Sequence, residues 1–292
     1  MIDSFLRFIE FEKRLSKHTV IAYKTDLLQF QAFIKQTFEV DEPSAANYGM
    51  IRSWLAHLVE IKTEPRSVNR KIATLRAYYK FLLRQSFIEK DPTLKIKVLK
   101  TQKRLPTFVR EEEMNNLLDR AIFDGSFQNH RDKLILELFY GSGMRLAELL
   151  QLTDKAISFK NRTIKVLGKR NKERVIPFSE SLVSIIKEYQ QARDKTFGKT
   201  EHNLLLVTDD GQPAYPMLIQ RVVKRYLKET SAEKKSPHVL RHTYATHLLN
   251  KGAEINAVKD LLGHSSLAAT QVYTHNTMEK LKKTFEQAHP KA

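Results

Sequence analysis

Along the first hundred residues, apolar positions recur every three or four places, and the pattern predicts helices only. Phe5, Phe8, Ile9 and Glu12 open a first amphipathic helix. Thr19 is placed as the cap of a second, with Ile21, Leu27, Leu28, Phe30 and Phe33 along its apolar side. A third is expected over residues 47–61 with Trp54, Leu55 and Leu58, and a fourth over 67–85 with Val68, Ile72, Leu75, Tyr79 and Leu82. Aromatic stripes at this spacing read as core. The polar faces hold Lys24, Arg66, Arg70, Lys71, Arg76 and Lys80, a basic surface suited to phosphates. For any one of these residues an ordinary solvated face is the simpler explanation.

Pro92 and Pro106 bracket a stretch in which Lys95, Lys97, Lys100, Lys103 and Arg104 meet no acid. It reads as a linker by position and a phosphate-tracking strap by composition. Beyond it, helices are expected near 110–123 and 130–140. Residues 157–178 then alternate around two polar turns, at 160–162 and 169–172, predicting a three-stranded antiparallel meander. Further helices are expected at about 180–194, 216–229, 238–250, 254–262, 266–275 and 277–288, with Gly252 and Gly263 as C-terminal stops. The fold class is mainly α with a small antiparallel sheet. A helical domain over 1–94, a basic linker over 95–106 and a mostly helical domain over 107–292 make up the chain.

Composition narrows the function. At 292 residues and 41% apolar content the chain has room for two cores and too much apolar sequence for a disordered protein. The absence of cysteine excludes disulfides, thiol nucleophiles and Cys-ligated metal centres. The amino terminus lacks a secretory pattern and no apolar run is long enough to span a bilayer, so a cytoplasmic location without membrane contact is expected. Fifty Lys and Arg against 33 Asp and Glu leave a net charge of +17. The resulting pI near 9.8 points to a polyanionic partner, with DNA or RNA foremost. Both halves carry part of the excess, as expected of a protein that grips nucleic acid with two domains.

Four islands of the second half concentrate chemistry. In Tyr140-Gly141-Ser142-Gly143-Met144-Arg145, two glycines just before a helix let backbone approach a ligand, and Arg145 at the helix start can face an anion, or simply pair with Glu148. Lys169 sits on the second hairpin turn with Arg170 and Lys172. Pro237 starts a helix that places His238 and Arg241 on one face near its positive end. His238 and His242 are spaced like helical zinc ligands, but the residue after His238 is Val239 and a third ligand is missing, so no metal site is expected. His264 stands between two helices, and Tyr273 near the end of the second. Together these supply bidentate phosphate donors, proton carriers and an oxygen nucleophile, the inventory for metal-free phosphoryl transfer through a covalent intermediate.

The set Arg145, Lys169, His238-x-x-Arg241, His264 and Tyr273, in that order and spacing, resembles the signature of the tyrosine recombinases of the phage-integrase family. The run from Ser236 to His275 is especially similar to the Xer branch, the chromosome-dimer resolvases. The amino-terminal LSKHTVIAYKTDL and the ending His289-Pro290-Lys291-Ala292 extend the resemblance over nearly the whole chain.

The resemblance implies a C-shaped DNA clamp, in which a SAM-like core-binding helical bundle and a catalytic domain hold opposite DNA faces and the strap crosses between them. It implies that Tyr273 attacks the scissile phosphate to form a 3′-phosphotyrosyl link. Arg145 and Arg241 would hold the phosphate, helped by His238 and His264, and Lys169 would protonate the leaving 5′-oxygen. Neither ATP, metal nor any other cofactor would be needed. Lys24, Arg70, Lys71, Lys103, Arg104, Arg170 and Lys172 are the expected DNA contacts. The partners implied are double-stranded DNA sites with inverted half-sites and a homo- or hetero-tetramer on two such sites. A paralogous recombinase and a septal DNA translocase complete the set, all at the nucleoid.

After Tyr273, Met278, Leu281, Phe285 and Ala288 form an apolar stripe. Periodicity alone allows a helix folded on its own domain, whereas the resemblance implies an exchange helix, about 277–288, docked into a neighbouring protomer. A mobile-element integrase, a type IB topoisomerase and a catalytically idle DNA-binding protein are the alternative readings.

Overall fold

A computed structural model describes residues 1–101, 107–120, 125–168, 173–198, 202–263 and 284–290. The chain divides into two units, Met1–Arg104 and Leu105–Ala292. Together they are mainly α, with one three-stranded antiparallel sheet.

In the first unit, α1 (Ile2–Arg7) runs on into a single π-helical stretch, Phe8–Glu12. α2 (Lys17–Phe38) is capped by Ser16, whose hydroxyl accepts the Thr19 N–H at 3.3 Å. The expected cap, Thr19, is therefore already helical; the extended backbone that a cap needs occurs at Ser16. α3 (Tyr48–Glu60) starts at Asn47, which accepts the Met50 N–H, and α4 (Pro65–Arg84) starts with Pro65 in its first turn.

The core closes around Phe5, Leu27, Phe30, Ile34, Trp54, Val68, Leu75, Tyr78 and Tyr79. Ile21 and Leu28 stay outside it, 60% and 45% exposed. At about 100° per residue they lie roughly a third of a turn from the seam through Leu27, Phe30 and Ile34.

Lys71 corrects the basic-surface expectation. On α4 it falls between Val68 and Leu75 on the apolar stripe, and it is buried. Its ammonium donates to Asp26 at 2.9 Å and to Gln29, and lies 5.7 Å from the Trp54 ring. The described part of the expected strap, 95–101, is hydrogen-bonded to α4. Asn69 makes a reciprocal pair with Leu99, at 2.8 and 2.9 Å, and Arg76 donates to the Ile96 carbonyl.

The second unit is built around α6 (Phe127–Ser142), whose residues from Leu134 to Tyr140, Glu137 included, are all buried. Around it stand α5 (Glu111–Arg120), α8 (Glu180–Phe197), α9 (Pro216–Tyr226) and α10 (Pro237–Asn250). The short α7 (Leu146–Leu150) follows α6, and α11 (Ile255–Leu262) follows α10. The glycines before Arg145 differ from expectation: Gly141 is inside α6, and only Gly143 is a turn residue, its left-handed C-cap at φ 59°. A Cβ at Gly143 would also stand 2.5 Å from the Tyr244 ring.

The meander is observed as expected, β1 (Ile157–Ser158), β2 (Thr163–Leu167) and β3 (Glu173–Pro177) in that order. Its register pairs Ile164 with Ile176 and Val166 with Arg174, so Arg174 shares the inward face with those three apolar residues. The expected helix over 266–275 lies outside the described residues, as do Met278 and Leu281. Residues 284–288 are helical and fold back on their own unit. Phe285 and Ala288 are buried with Tyr244 and Leu248 of α10 and Val258, Leu261 and Leu262 of α11. Among the described residues, no helix is long and apolar enough to cross a membrane.

Candidate active site

Arg145, His238 and Arg241 line one cavity of about 270 Å³. Arg145 is the N-cap of α7, placed there because Gly143 turns the chain out of α6. Its backbone N–H donates to Glu148 Oε2 at 2.6 Å and its Nη1 to Oε1 at 2.8 Å. Nη2 donates to the Gly263 carbonyl at 3.0 Å. The pairing with Glu148 and the cavity position are both true of Arg145, whose side chain remains 32% exposed. Arg241 lies one turn into α10 and is buried. It donates through Nη1 to the Gly143 carbonyl and through Nη2 to the Leu262 carbonyl at 2.6 Å. His238, beside Pro237 at the start of α10, is exposed at the cavity.

The electrostatics favour an anion. Gln220, Lys224 and Lys235 complete the polar wall with Ser236, and none of the described lining residues is acidic. Burial, followed by the charges of Arg145 and Arg174, pulls the Arg241 pKa down to about 10, which leaves it cationic at neutral pH. Behind the wall, Arg174 donates to both oxygens of Glu148, by Nη1 to Oε1 and by Nη2 to Oε2 at 2.9 Å. Burial would raise the Glu148 pKa, but Arg174 and Arg145 outweigh it and hold the carboxyl below its ordinary range. Two guanidinium groups facing one small cavity match the non-bridging oxygens of a phosphate.

Lys169, His264 and Tyr273 lie outside the described residues, as do the expected DNA contacts Lys103, Arg104, Arg170 and Lys172. Gly263, next to His264, is described: it ends α11 at φ 61° and joins the site through its carbonyl. Of the DNA-contact candidates in the first unit, Lys24 is exposed, Arg70 is half-exposed and paired with Asp26, and Lys71 is buried. Among the described residues, no group of three or more His, Asp or Glu is arranged to hold a metal ion.

Sequence reasoning missed Gln220, Lys224, Lys235 and Arg174. Lys235 stands two places before Pro237, close enough in sequence to have been suspected. Lys224 on α9 gave no local signal. Arg174 gave no signal of its own, because its inward direction depends on the strand register.

Residues 107–280 match the phage integrase family and residues 2–86 its N-terminal SAM-like domain. The tyrosine recombinase XerC of Chlorobaculum parvum is 36% identical over 317 aligned positions, covering 100% of this chain and 94% of that protein. The tyrosine recombinase XerD of Staphylococcus haemolyticus is 34% identical over 294, covering 100% and 99%. Among solved structures, the XerH site-specific recombinase in a post-cleavage complex superposes with a TM-score of 0.72 at 22% identity, covering 97% of this chain and 83% of that one. The Tn1549 transposon integrase superposes at 0.67 and 20% identity, covering 96% and 97%. These last two likenesses establish the shared fold. The chain belongs to the phage integrase family and is a tyrosine recombinase, an enzyme of site-specific DNA cleavage and rejoining.

Proposed function

We propose that the chain resolves chromosome dimers by recombining two DNA sites built of inverted half-sites. Tyr273 attacks the scissile phosphorus, and the bond to the 5′-oxygen breaks as the phosphotyrosyl bond forms. Lys169 protonates the leaving oxygen. Arg145 and Arg241 hold the non-bridging oxygens, with His238 and His264 donating to the pentavalent transition state. The incoming strand's 5′-hydroxyl reverses the steps. Because the phosphotyrosyl ester that forms is close in energy to the phosphodiester that breaks, the cycle needs no ATP, and the cationic side chains supply the charge stabilisation that a metal would otherwise give.

The observation that carries this reading is the convergence of Arg145, His238 and Arg241 on one cavity with no acidic residue among its described lining. The full-length similarity to proteins named XerC and XerD supports the chromosomal role over that of a mobile element. In this reading, residues 1–94 form the core-DNA-binding domain, 95–106 the strap and 107–292 the catalytic domain, with the enzyme in the cytoplasm at the nucleoid. Lys24, Arg70, Lys103, Arg104, Arg170 and Lys172 contact DNA. Four subunits, of this chain alone or with a paralogue, assemble on two sites, and a septal translocase activates them. The terminal helix, packed on its own unit in the single chain, exchanges into a neighbour on assembly.

The test is a suicide-substrate assay on candidate chromosomal sites. Tyr273→Phe should bind DNA normally and form no adduct. A denaturant-resistant adduct from the Phe variant would remove Tyr273 as the nucleophile.

A further inference from the structure

We propose that Arg174 is a positioning residue for strand cleavage: by occupying Glu148 from behind, it keeps the Arg145 guanidinium turned toward the phosphate cavity. The proposal rests on the reading of Arg145 as a phosphate ligand.

A carboxylate offers about four acceptor positions, and those of Glu148 receive four donors. Arg145 supplies its backbone N–H and Nη1, and Arg174 supplies Nη1 and Nη2. Glu148 is buried, so water does not readily replace a missing donor. Take Arg174 away and two acceptor positions fall open beside Arg145. Its guanidinium then has a bidentate fit available on Glu148, the geometry that arginine and carboxylate favour. Closing on Glu148 would pull Arg145 off both the Gly263 carbonyl and the cavity.

The placement of Arg174 suits this task. It is the second residue of β3, five positions after Lys169 in the sequence, and the strand register sends it inward opposite Val166. Its side chain runs against Gly263, where a Cβ would meet its Cδ at 2.9 Å and its Nη1 at 3.1 Å. Gly263 thus serves two needs: a left-handed helix end, and room for this side chain beside the residue that precedes His264. The Arg174 Nε is buried without an acceptor among the described residues, so the two terminal nitrogens on Glu148 account for its hydrogen bonding there. One side chain therefore touches the carboxylate that orients Arg145 and Gly263, the residue before His264, from a strand that begins four positions after Lys169 in the sequence.

The experiment uses the full chain in single-turnover cleavage of suicide substrates carrying either a normal scissile phosphodiester or a neutral methylphosphonate there. Arg174→Met should cleave the normal substrate about 100-fold more slowly, the scale of a 1 Å misplacement, with half-site binding unchanged. On the methylphosphonate the defect should shrink about tenfold, because less charge develops for Arg145 to stabilise. Adding Glu148→Gln to Arg174→Met should recover about tenfold on the normal substrate, a coupling expected when one residue acts through the other. Circular dichroism and thermal melting monitor folding; should Arg174→Met fail to fold, Arg174→Lys is read on the same two substrates.

Equal defects on both substrates, with no recovery in the double variant, would make Arg174 a purely structural ion-pair partner and overturn the proposal. Wild-type cleavage by Arg174→Met or Arg174→Lys would do the same. Arg145→Gln is the control for the underlying reading: if it cleaves at the wild-type rate, Arg145 is not a phosphate ligand and both ideas fall.

Discussion

Each unit of the chain has a carboxylate buried among cations, Asp26 in the first and Glu148 in the second, and these two clusters come out differently. In the first, Asp26 accepts Arg70, Lys71 and Thr74, and the Lys71 ammonium is further satisfied by Gln29 beside Trp54. Its buried cation faces its own acid, so the cluster fastens α2 to α4. In the second, Glu148 holds Arg174 on the inside and Arg145 on the outside, and a third guanidinium, Arg241, is held among the described residues by the carbonyls of Gly143 and Leu262. Carbonyls satisfy hydrogen bonds without cancelling charge. The excess positive charge therefore borders the cavity, ready for an anion. A buried ionic cluster becomes a binding site when its cations outnumber its acids and the surplus adjoins open space.

The largest effect should come from opening the closed cluster. Asp26→Asn leaves the Lys71 ammonium buried without its counter-charge, and breaking such a pair costs about 3–5 kcal/mol. Trp54 is the sole tryptophan and lies beside Lys71, so its fluorescence reports urea unfolding of the first unit directly. A midpoint equal to that of the parent chain would show that the cluster does not hold the unit together.

In the open cluster the same kind of change should spare stability and strike chemistry. Arg241→Gln is expected to lower the cleavage rate about 10²–10³-fold, the scale of losing one transition-state donor, while half-site binding persists. Loss of binding in parallel with cleavage would assign Arg241 to ground-state affinity instead. The smallest effect belongs to a cation outside both clusters. Lys24 is exposed on α2. Lys24→Ala should weaken DNA binding evenly across sequences and reduce the slope of log affinity against log salt by about one. An unchanged slope would remove Lys24 from the DNA face.

Legibility followed the range of the interactions. The four helices of the first unit were readable because their apolar spacing repeats over several turns, and the meander because strand alternation is broken by polar turns. Errors arose where a local pattern had two solutions. Ser16 and Thr19 both suit a cap, and only the backbone geometry chose Ser16. Lys71 looked like surface because lysine usually is; its partner Asp26 lies 45 residues earlier, beyond any helical pattern. Ile21 and Leu28 satisfied a loose count of apolar residues on α2 yet sit on its solvent side.

The order and chemistry of Arg145, His238 and Arg241, the helical character of both units and the positive field are properties of the sequence alone. Side-chain type, spacing and net charge need no tertiary information. Which cations are spent on internal acids and which remain for a phosphate was decided by tertiary structure. That choice depends on long-range geometry: the β2–β3 register that turns Arg174 inward, the left-handed end of α6 that presents Arg145, and the crossing of α2 and α4 that seals Lys71. Coulombic pairing depends on distance in space, and distance in space is set by packing.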